Sequence, residues 1–252
     1  MVNRLRLICM VTLFLPLAAP VVALAQALPP FVTVATFQVK PDMRLEFEAL
    51  QEEANAARQE AGITARFAYR VARGGSVNEY VFLTPTEALA NYDQPLPVRR
   101  GMSESDAAQW FARLNKSIDD VHLNTLRVRS DLSIPLAEGR TATLWRLRTV
   151  EVRPGRGQDY QGWITDNWVP AMKNADMNGV VHFQDAFGVG QRTWTRLTAY
   201  DSWAELDGHP VARHLGREAF SEMLGNQGEM TRGPEVRILE LLPNLSIFAR
   251  NP

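Results

Sequence analysis

The pattern of apolar and polar positions predicts a chain that alternates strands with amphipathic helices. After Pro41, apolar residues recur every three or four positions up to Ala61, which is the periodicity of one helix face. Two strand-like runs follow, ITARFAYRVA and NEYVFLT, and Gly74 and Gly75 lie between them. Runs of this kind around glycines are typical of a β-hairpin. Residues 31–84 therefore predict a strand, a helix and a hairpin.

The same order occurs a second time. The interval from VKP at 39–41 to VRP at 152–154 equals the interval from SDLSI at 130–134 to PNLSI at 243–247, and we call it the repeat interval. A second helical stripe runs from Tyr160 to Ala175, and it precedes two more strand-like runs, which are joined through Gly188 and Gly190. Two matches at one interval, at opposite ends of a unit, indicate a duplication.

Each unit closes with a further helical region and a last strand, so the order in each is β-α-β-β-α-β, the split βαβ of ferredoxin-like folds. We predict a first repeat at 28–134, a short polar linker at 135–141 and a second repeat at 142–248. The expected fold class is α+β, with the two ferredoxin-like repeats packed sheet to sheet within one chain.

The first residues have a different character. Two arginines precede an uncharged apolar stretch that ends in Ala23-Leu24-Ala25, the three-part pattern of a secretory signal peptide. We predict a signal peptide at 1–25, with cleavage after Ala25 or after Ala27, and hence a periplasmic or secreted protein. An uncleaved anchor helix is the alternative, but Pro16 and Pro20 would interrupt it.

Composition narrows the range of functions. The formal net charge is −1, so the basic excess of a nucleic-acid-binding protein is missing. Beyond residue 27 no apolar run is long enough to span a bilayer, so the chain is not expected to span a membrane after cleavage. The one cysteine, Cys9, lies in the predicted signal peptide, which argues against disulfides and cysteine-ligated metals in the mature chain.

The order of strand, V-[KR]-P, helix, glycine and hairpin, with YDSWAEL at 200–206, resembles the dimeric α/β-barrel superfamily. That superfamily includes antibiotic-biosynthesis-monooxygenase-like and NIPSNAP-like domains, and the resemblance covers roughly residues 31–247. It implies that two ferredoxin-like units form a barrel, here within one chain. The activities that it implies are diverse, from oxygenation without a cofactor to isomerisation and haem degradation, so the fold does not choose a reaction.

Strand alternation points to one candidate pocket. In GVVHFQDAF at 179–187, the bulkier face with Val181 and Phe183 is expected to pack on helices, which leaves His182 and Gln184 facing a cavity. Neighbouring strands would add further polar and aromatic side chains. The predicted ligand-binding residues are Arg146, Gln184, Trp194 and Arg196.

The residue types suggest roles in this pocket. A neutral His182 could act as general base, Arg146 and Arg196 could hold an anionic oxygen, and Trp194 could pack on the ligand. The structural alternative is a polar face whose arginines pair with acids such as Glu240. His209, in the loop DGHPVARHLG, is a second catalytic candidate at the mouth of the barrel.

We expect no metal site, because no pair of histidines has the spacing that places both on one helix face. The sequence therefore suggests an exported protein that binds, and transforms without a metal, a small aromatic or anionic molecule in a monooxygenase-like or isomerase-like way. The alternative is a non-catalytic envelope binding or interaction module. No cofactor is predicted, haem bound through a histidine is a third alternative, and a homodimer is compatible with the sequence.

Overall fold

A computed structural model describes residues 29–137, 140, 142–187 and 192–248 of the 252-residue chain. The predicted signal peptide at 1–25, both cleavage positions and the start of the first repeat lie outside the described residues, as do Gly188, Gly190 and part of the 135–141 linker. Those predictions stay untested. No helix in the described part of the chain has both the length and the apolar character needed to cross a membrane.

Eight antiparallel strands form one closed barrel in the order β1-β3-β2-β8-β5-β7-β6-β4, and β4 returns to β1. Each strand is therefore hydrogen-bonded on both sides. The strands are β1 (Phe31–Val39), β2 (Phe67–Arg73), β3 (Glu79–Thr86), β4 (Ile118–Val128), β5 (Leu144–Val152), β6 (Val180–Asp185), β7 (Thr193–Tyr200) and β8 (Thr231–Leu241).

Helices cover the outside of this barrel, so the expected α+β class is confirmed. Short 3-10 turns lie at 41–43, 89–93, 130–132, 203–206 and 243–245. The α-helices are α1 (Arg44–Glu60), α2 (Pro97–Gly101), α3 (Glu104–Ser117), α4 (Gly157–Trp163), α5 (Val169–Asn174), α6 (Pro210–Leu215) and α7 (Arg217–Met230).

The two halves of the chain contribute strands in the same order. The first half supplies β4-β1-β3-β2 and the second supplies β8-β5-β7-β6. Two seams join them edge to edge, β2 to β8 through Tyr69–Arg73, with a bulge after Val71, and β4 to β6 through Leu126–Val128. The halves thus share one continuous hydrogen-bonded wall, in addition to the face-to-face contact expected from the sequence.

Local sequence explains the interruption of the long helix in the second half. Pro170 has no N–H to donate to the carbonyl of Asp166, four residues earlier. The chain passes through a π-helical turn, Ile164–Trp168, between α4 and α5. The helical run continues past Pro170, and the missing hydrogen bond is accommodated by this wider turn.

The barrel interior is a core that all eight strands share. Its buried residues include Val81 from the first half and Phe183, Leu197 and Leu239 from the second, with no residue of a described helix among them. Two further cores lie outside the barrel, one in each half, where strand residues pack on helix residues. Both faces of the sheet are consequently apolar.

The structure reverses one expectation about the strands. Val181 and Phe183 point into the barrel, and His182 lies on the opposite face, beneath the helices of the second half. The prediction that the bulkier residues of β6 would pack on helices was wrong. Bulk does not distinguish the two faces, because helices cover the outer one while the strands of the other half cover the inner one.

We predict that Leu197→Ala in the shared core lowers the free energy of unfolding by about 2–5 kcal/mol, because Leu197 is fully buried among strands of both halves. Chemical denaturation measures this change. Leu45→Ala is the matched control: Leu45 is 76% exposed, and its truncation should shift stability by about 0.5 kcal/mol or less. Equal losses in the two variants would contradict the assignment of Leu197 to the core.

Candidate functional site

Three basic side chains lie in a row across the second half of the barrel. His182 on β6 is the cross-strand neighbour of Arg196 on β7, and Arg196 is the cross-strand neighbour of Arg148 on β5. All three line the same small space under the helices. Successive side chains of a strand point to opposite faces of the sheet, and Val181, Phe183 and Leu197 point into the barrel. This row therefore points away from the barrel interior.

Arg146 extends this cationic surface along β5. It lies two residues before Arg148, on the same face of the strand, and it contributes to lowering the pKa of Arg196 and of His209. Among the described residues, no ion pair or side-chain hydrogen bond involves Arg146, Arg148 or Arg196. Their charges therefore face one another without a carboxylate.

Burial makes this arrangement costly. Burial and the neighbouring Arg148 lower the pKa of Arg196 to about 9, and burial also lowers the pKa of Arg148. Like charges placed directly opposite each other on neighbouring strands destabilise a sheet. An anion bound between these guanidinium groups would remove the repulsion.

Aromatic rings form the other wall of the site. Tyr160 stacks on Trp163 at 5.9 Å between ring centroids, and Trp163 stacks on Trp168 at 5.7 Å. Trp194 meets Tyr160 edge to face at 5.6 Å, and the guanidinium of Arg196 lies 4.3 Å from the centroid of Trp168. The site is thus cationic on the sheet side and aromatic on the helix side.

His182 is buried and uncharged near neutral pH. Burial, and then the charge of Arg196, lower its pKa to about 3, and its Nδ1 has no hydrogen-bond partner. Its ring is hydrogen-bonded to the backbone of Leu132, and its backbone N–H donates to Ser133. A histidine with so low a pKa takes up a proton weakly, which is unfavourable for the predicted role as general base in the ligand-free protein.

His209 has a structural contact that the sequence did not reveal. Its Nδ1 accepts a hydrogen bond from the backbone N–H of Val211 at 3.2 Å, so His209 is the N-cap of α6. Its ring packs between Trp168 and Phe220. Burial, and then Arg196 and other arginines, lower its pKa to about 3, so His209 lies close to the cationic row.

The remaining predicted residues have different surroundings. Trp194 lines the site with His182 and Arg196. Gln184 lies on the same strand face as His182, beside Trp194 and next to the seam with β4, but it does not line the space. Glu240, offered as an acid partner for the arginines of the site, pairs instead with Arg70 at 2.8 Å.

The space enclosed by the row and the aromatic wall is small, about 10 Å³. That volume suits about one water molecule. The barrel interior holds a larger cavity of about 280 Å³, lined by residues of the opposite strand face such as Thr149, Phe183 and Asp185. None of the predicted site residues lines that interior cavity, since they all lie on the outer face.

Sequence reasoning missed several residues of the site, among them Arg148 and Trp168. Arg148 is on the same face of β5 as Arg146, and alternation alone could have identified it. Trp168 comes from the helical run, and its position opposite Arg196 depends on the π-helical turn. Only the packing of helix on sheet could identify that contact.

The fold is similar to that of several solved structures. A protein assigned provisionally as a monooxygenase, from Lactobacillus acidophilus NCFM, matches with a TM-score of 0.58 and 12% identity over 88% of this chain and 97% of that chain. An anthrone oxidase-like protein matches with a TM-score of 0.54 and 11% identity, over 84% and 91%. Chlorite dismutase from Candidatus Nitrospira defluvii, in complex with imidazole, matches with a TM-score of 0.51 and 10% identity, over 85% and 91%.

These similarities establish the fold alone. No protein-family model matches the sequence, and no curated protein matches it.

The residues present do not fit a haem beside His182. About 10 Å³ of space is far below the roughly 300–1,000 Å³ of pockets that enclose cofactor-sized ligands. His209 already uses its Nδ1 as a helix cap and its ring faces as packing surfaces. In the described part of the chain, no group of three or more His, Cys, Asp or Glu side chains is placed to hold a metal ion.

We predict that His182 stays neutral down to acidic pH and that the protein loses stability as the pH falls from 6.5 towards 3. The unfolded chain, in which a histidine has its ordinary pKa, binds more protons than the folded chain across that window, so acid favours unfolding. In His182→Gln this part of the pH dependence should disappear, while the contribution of His209 remains. The free energy of unfolding as a function of pH measures both slopes. A His182 ring resonance that titrates near pH 6.5 would contradict the prediction.

Proposed function

We propose that this protein binds a small anion on the outer face of its second half, with Arg196 and Arg148 as the groups that hold it. One observation carries the proposal. These two arginines are direct cross-strand neighbours, partly buried, and no carboxylate among the described residues pairs with either. A guanidinium pair with nothing opposite it is suited to an oxyanion, which can accept charge-assisted hydrogen bonds from both.

The size of the site narrows the ligand. The space beside the row is the size of one water molecule, so a compact oxyanion would enter with the smallest displacement of the lining, and an aromatic molecule would require Trp163 or Trp168 to move. Of the small aromatic or anionic ligands that the sequence suggested, the geometry therefore favours the anionic class. Arg146 adds positive charge nearby and would help to attract such a ligand.

The wider context belongs to the same proposal. The N-terminal pattern supports export to the periplasm or beyond the cell, where the chain would act after cleavage of residues 1–25. The repeat interval and the equal strand order of the halves support a tandem of ferredoxin-like units of the antibiotic-biosynthesis-monooxygenase-like or NIPSNAP-like kind. Assembly into a homodimer is part of this proposal.

Turnover of the bound molecule without a metal is the second candidate function. The stack of Tyr160, Trp163 and Trp168 favours it, because flat rings beside a histidine would suit an aromatic substrate once the rings separate. A bound anion would also raise the pKa of His182 and make it a better base. If a conversion is found, His182→Ala should abolish it while the protein stays folded.

We predict that formate, compared with chloride at equal ionic strength, raises the melting temperature and changes tryptophan emission, because Arg196 lies against Trp168. Arg148→Met should lower the affinity for formate at least tenfold, about 1.4 kcal/mol, because it removes one of the two anion-binding groups. The variant itself should be as stable as the wild type or more so, since the like-charge repulsion is gone.

Arg217→Met, at an exposed position on α7, is the matched control and should bind formate as the wild type does. Equal affinity in the wild type and Arg148→Met would reject the site. Failure of formate, nitrate and phosphate to bind at all would favour the non-catalytic interaction module.

A further inference from the structure

The first half contains a cavity that the sequence analysis did not anticipate. It lies between the outer face of β1, β3 and β4 and the helices α1, α2 and α3, and its volume is about 300 Å³. Its lining is mainly apolar and has no aspartate or glutamate. The apolar lining residues include Phe37, Ile63, Val98, Trp110, Phe111 and Leu114.

Two buried arginines also line this cavity. Arg58 and Arg66 are only 7% and 6% exposed. Both donate to the same acceptor, Oε1 of Gln51, at 2.9 Å and 3.0 Å. Arg58 has further acceptors in the backbone carbonyl of Gln51 and in Asn55, but Nη1 of Arg66 has no hydrogen-bond partner.

The charge of this pair is not balanced. Neither arginine forms an ion pair with a described residue. The guanidinium carbon of Arg66 lies 3.7 Å from the centroid of the Phe82 ring, which is a cation–π contact. Burial lowers the pKa of Arg58 to about 10, while burial and the charge of Arg58 lower that of Arg66. An uncompensated cation in an apolar interior is strongly unfavourable unless something anionic joins it.

The cavity opens through an apolar rim. Val121 and Leu123 on β4 and Leu96 before α2 line it and are all exposed, Leu123 by 68%. This part of β4 lies beyond the short seam with β6, which pairs Leu126–Val128 and is extended by backbone hydrogen bonds at Thr125 and Arg129. An apolar chain could therefore enter from the surface and meet positive charge inside.

We infer that this cavity binds an amphipathic monocarboxylate, whose carboxylate lies on Arg66 and Arg58 and whose apolar body lies along Trp110, Phe111 and Leu114. At roughly 30 Å³ for each water- or methylene-sized group, the volume accommodates about ten non-hydrogen atoms. That size corresponds to a medium-chain fatty acid such as octanoate. This site is separate from the anion site of the second half and does not depend on it.

The two halves differ in how much space remains between helices and sheet. At the repeat interval, Leu50 and Asn55 in the first half correspond to Trp163 and Trp168 in the second. The two indoles fill the space between helices and sheet in the second half, where only about 10 Å³ remains. In the first half about 300 Å³ remains, beside Trp110 and Phe111.

The inference is tested by isothermal titration calorimetry of the purified protein with octanoate and with octanol. Octanol is uncharged and has the same apolar chain length. We expect octanoate to bind at least tenfold more tightly than octanol, because hydrogen bonds to charged groups add to the apolar contact. Arg66→Met should remove this preference and leave the affinity for octanol unchanged or higher. With an isotope-labelled carboxyl carbon, NMR should show that the pKa of bound octanoate is lower than that of free octanoate.

Arg73→Met, the same change at the exposed end of β2, is the matched control and should keep the preference for octanoate. If Arg66→Met does not fold, Leu123→Asp provides a second test: it places a negative charge on the exposed rim and should weaken octanoate more than octanol. Arg148→Met should leave octanoate binding intact, which separates this site from the one in the second half.

Equal affinity of the wild type for octanoate and octanol, or an unchanged preference in Arg66→Met, would overturn the inference. So would the absence of any octanoate binding to the wild type.

Discussion

Closure of the barrel is the constraint on which the rest of this structure depends. The seams between β2 and β8 and between β4 and β6 join two four-stranded sheets into one wall. Each half thereby buries its inner face against strands of the other half, and each keeps its helices for the outer face. Both candidate sites consequently lie between helix and sheet. The residues that line each site belong to one half and lie outside the shared core.

Uncompensated positive charge is the feature that both outer faces share. In the second half Arg148 and Arg196 lie side by side, and in the first half Arg58 and Arg66 share one glutamine oxygen. Replacing such buried cations with apolar residues of similar size is often stabilising in other proteins. On both proposals a bound anion would offset the cost of these charges to stability, as is common where a binding site and the stability of a fold conflict.

Part of the candidate site could be predicted. Alternation along the strands placed His182, Trp194 and Arg196 on one face, and in the structure these three residues line one space on the outer face of the barrel. The same alternation did not tell which face was inside. Both faces of β6 are apolar enough to be buried, because Val180 packs under the helices and Val181 packs in the barrel. The choice between them depends on closure with the other half, and no short window of sequence contains that information.

The sequence by itself determined the elements and their order, and it predicted a two-fold recurrence. These follow from periodicity, from prolines and glycines at strand and helix ends, and from the constant repeat interval. Each of these signals is visible within a short window or by comparing the sequence with itself. Tertiary structure alone decided which side chains of a helix contact which side chains of a strand or loop elsewhere in the chain. Trp168 lies on Arg196, and Arg58 and Arg66 converge on Gln51, because helices dock on strands that are distant in the chain. The volumes of the two outer sites were decided in the same way, since a cavity is the space left after every neighbouring side chain has been placed.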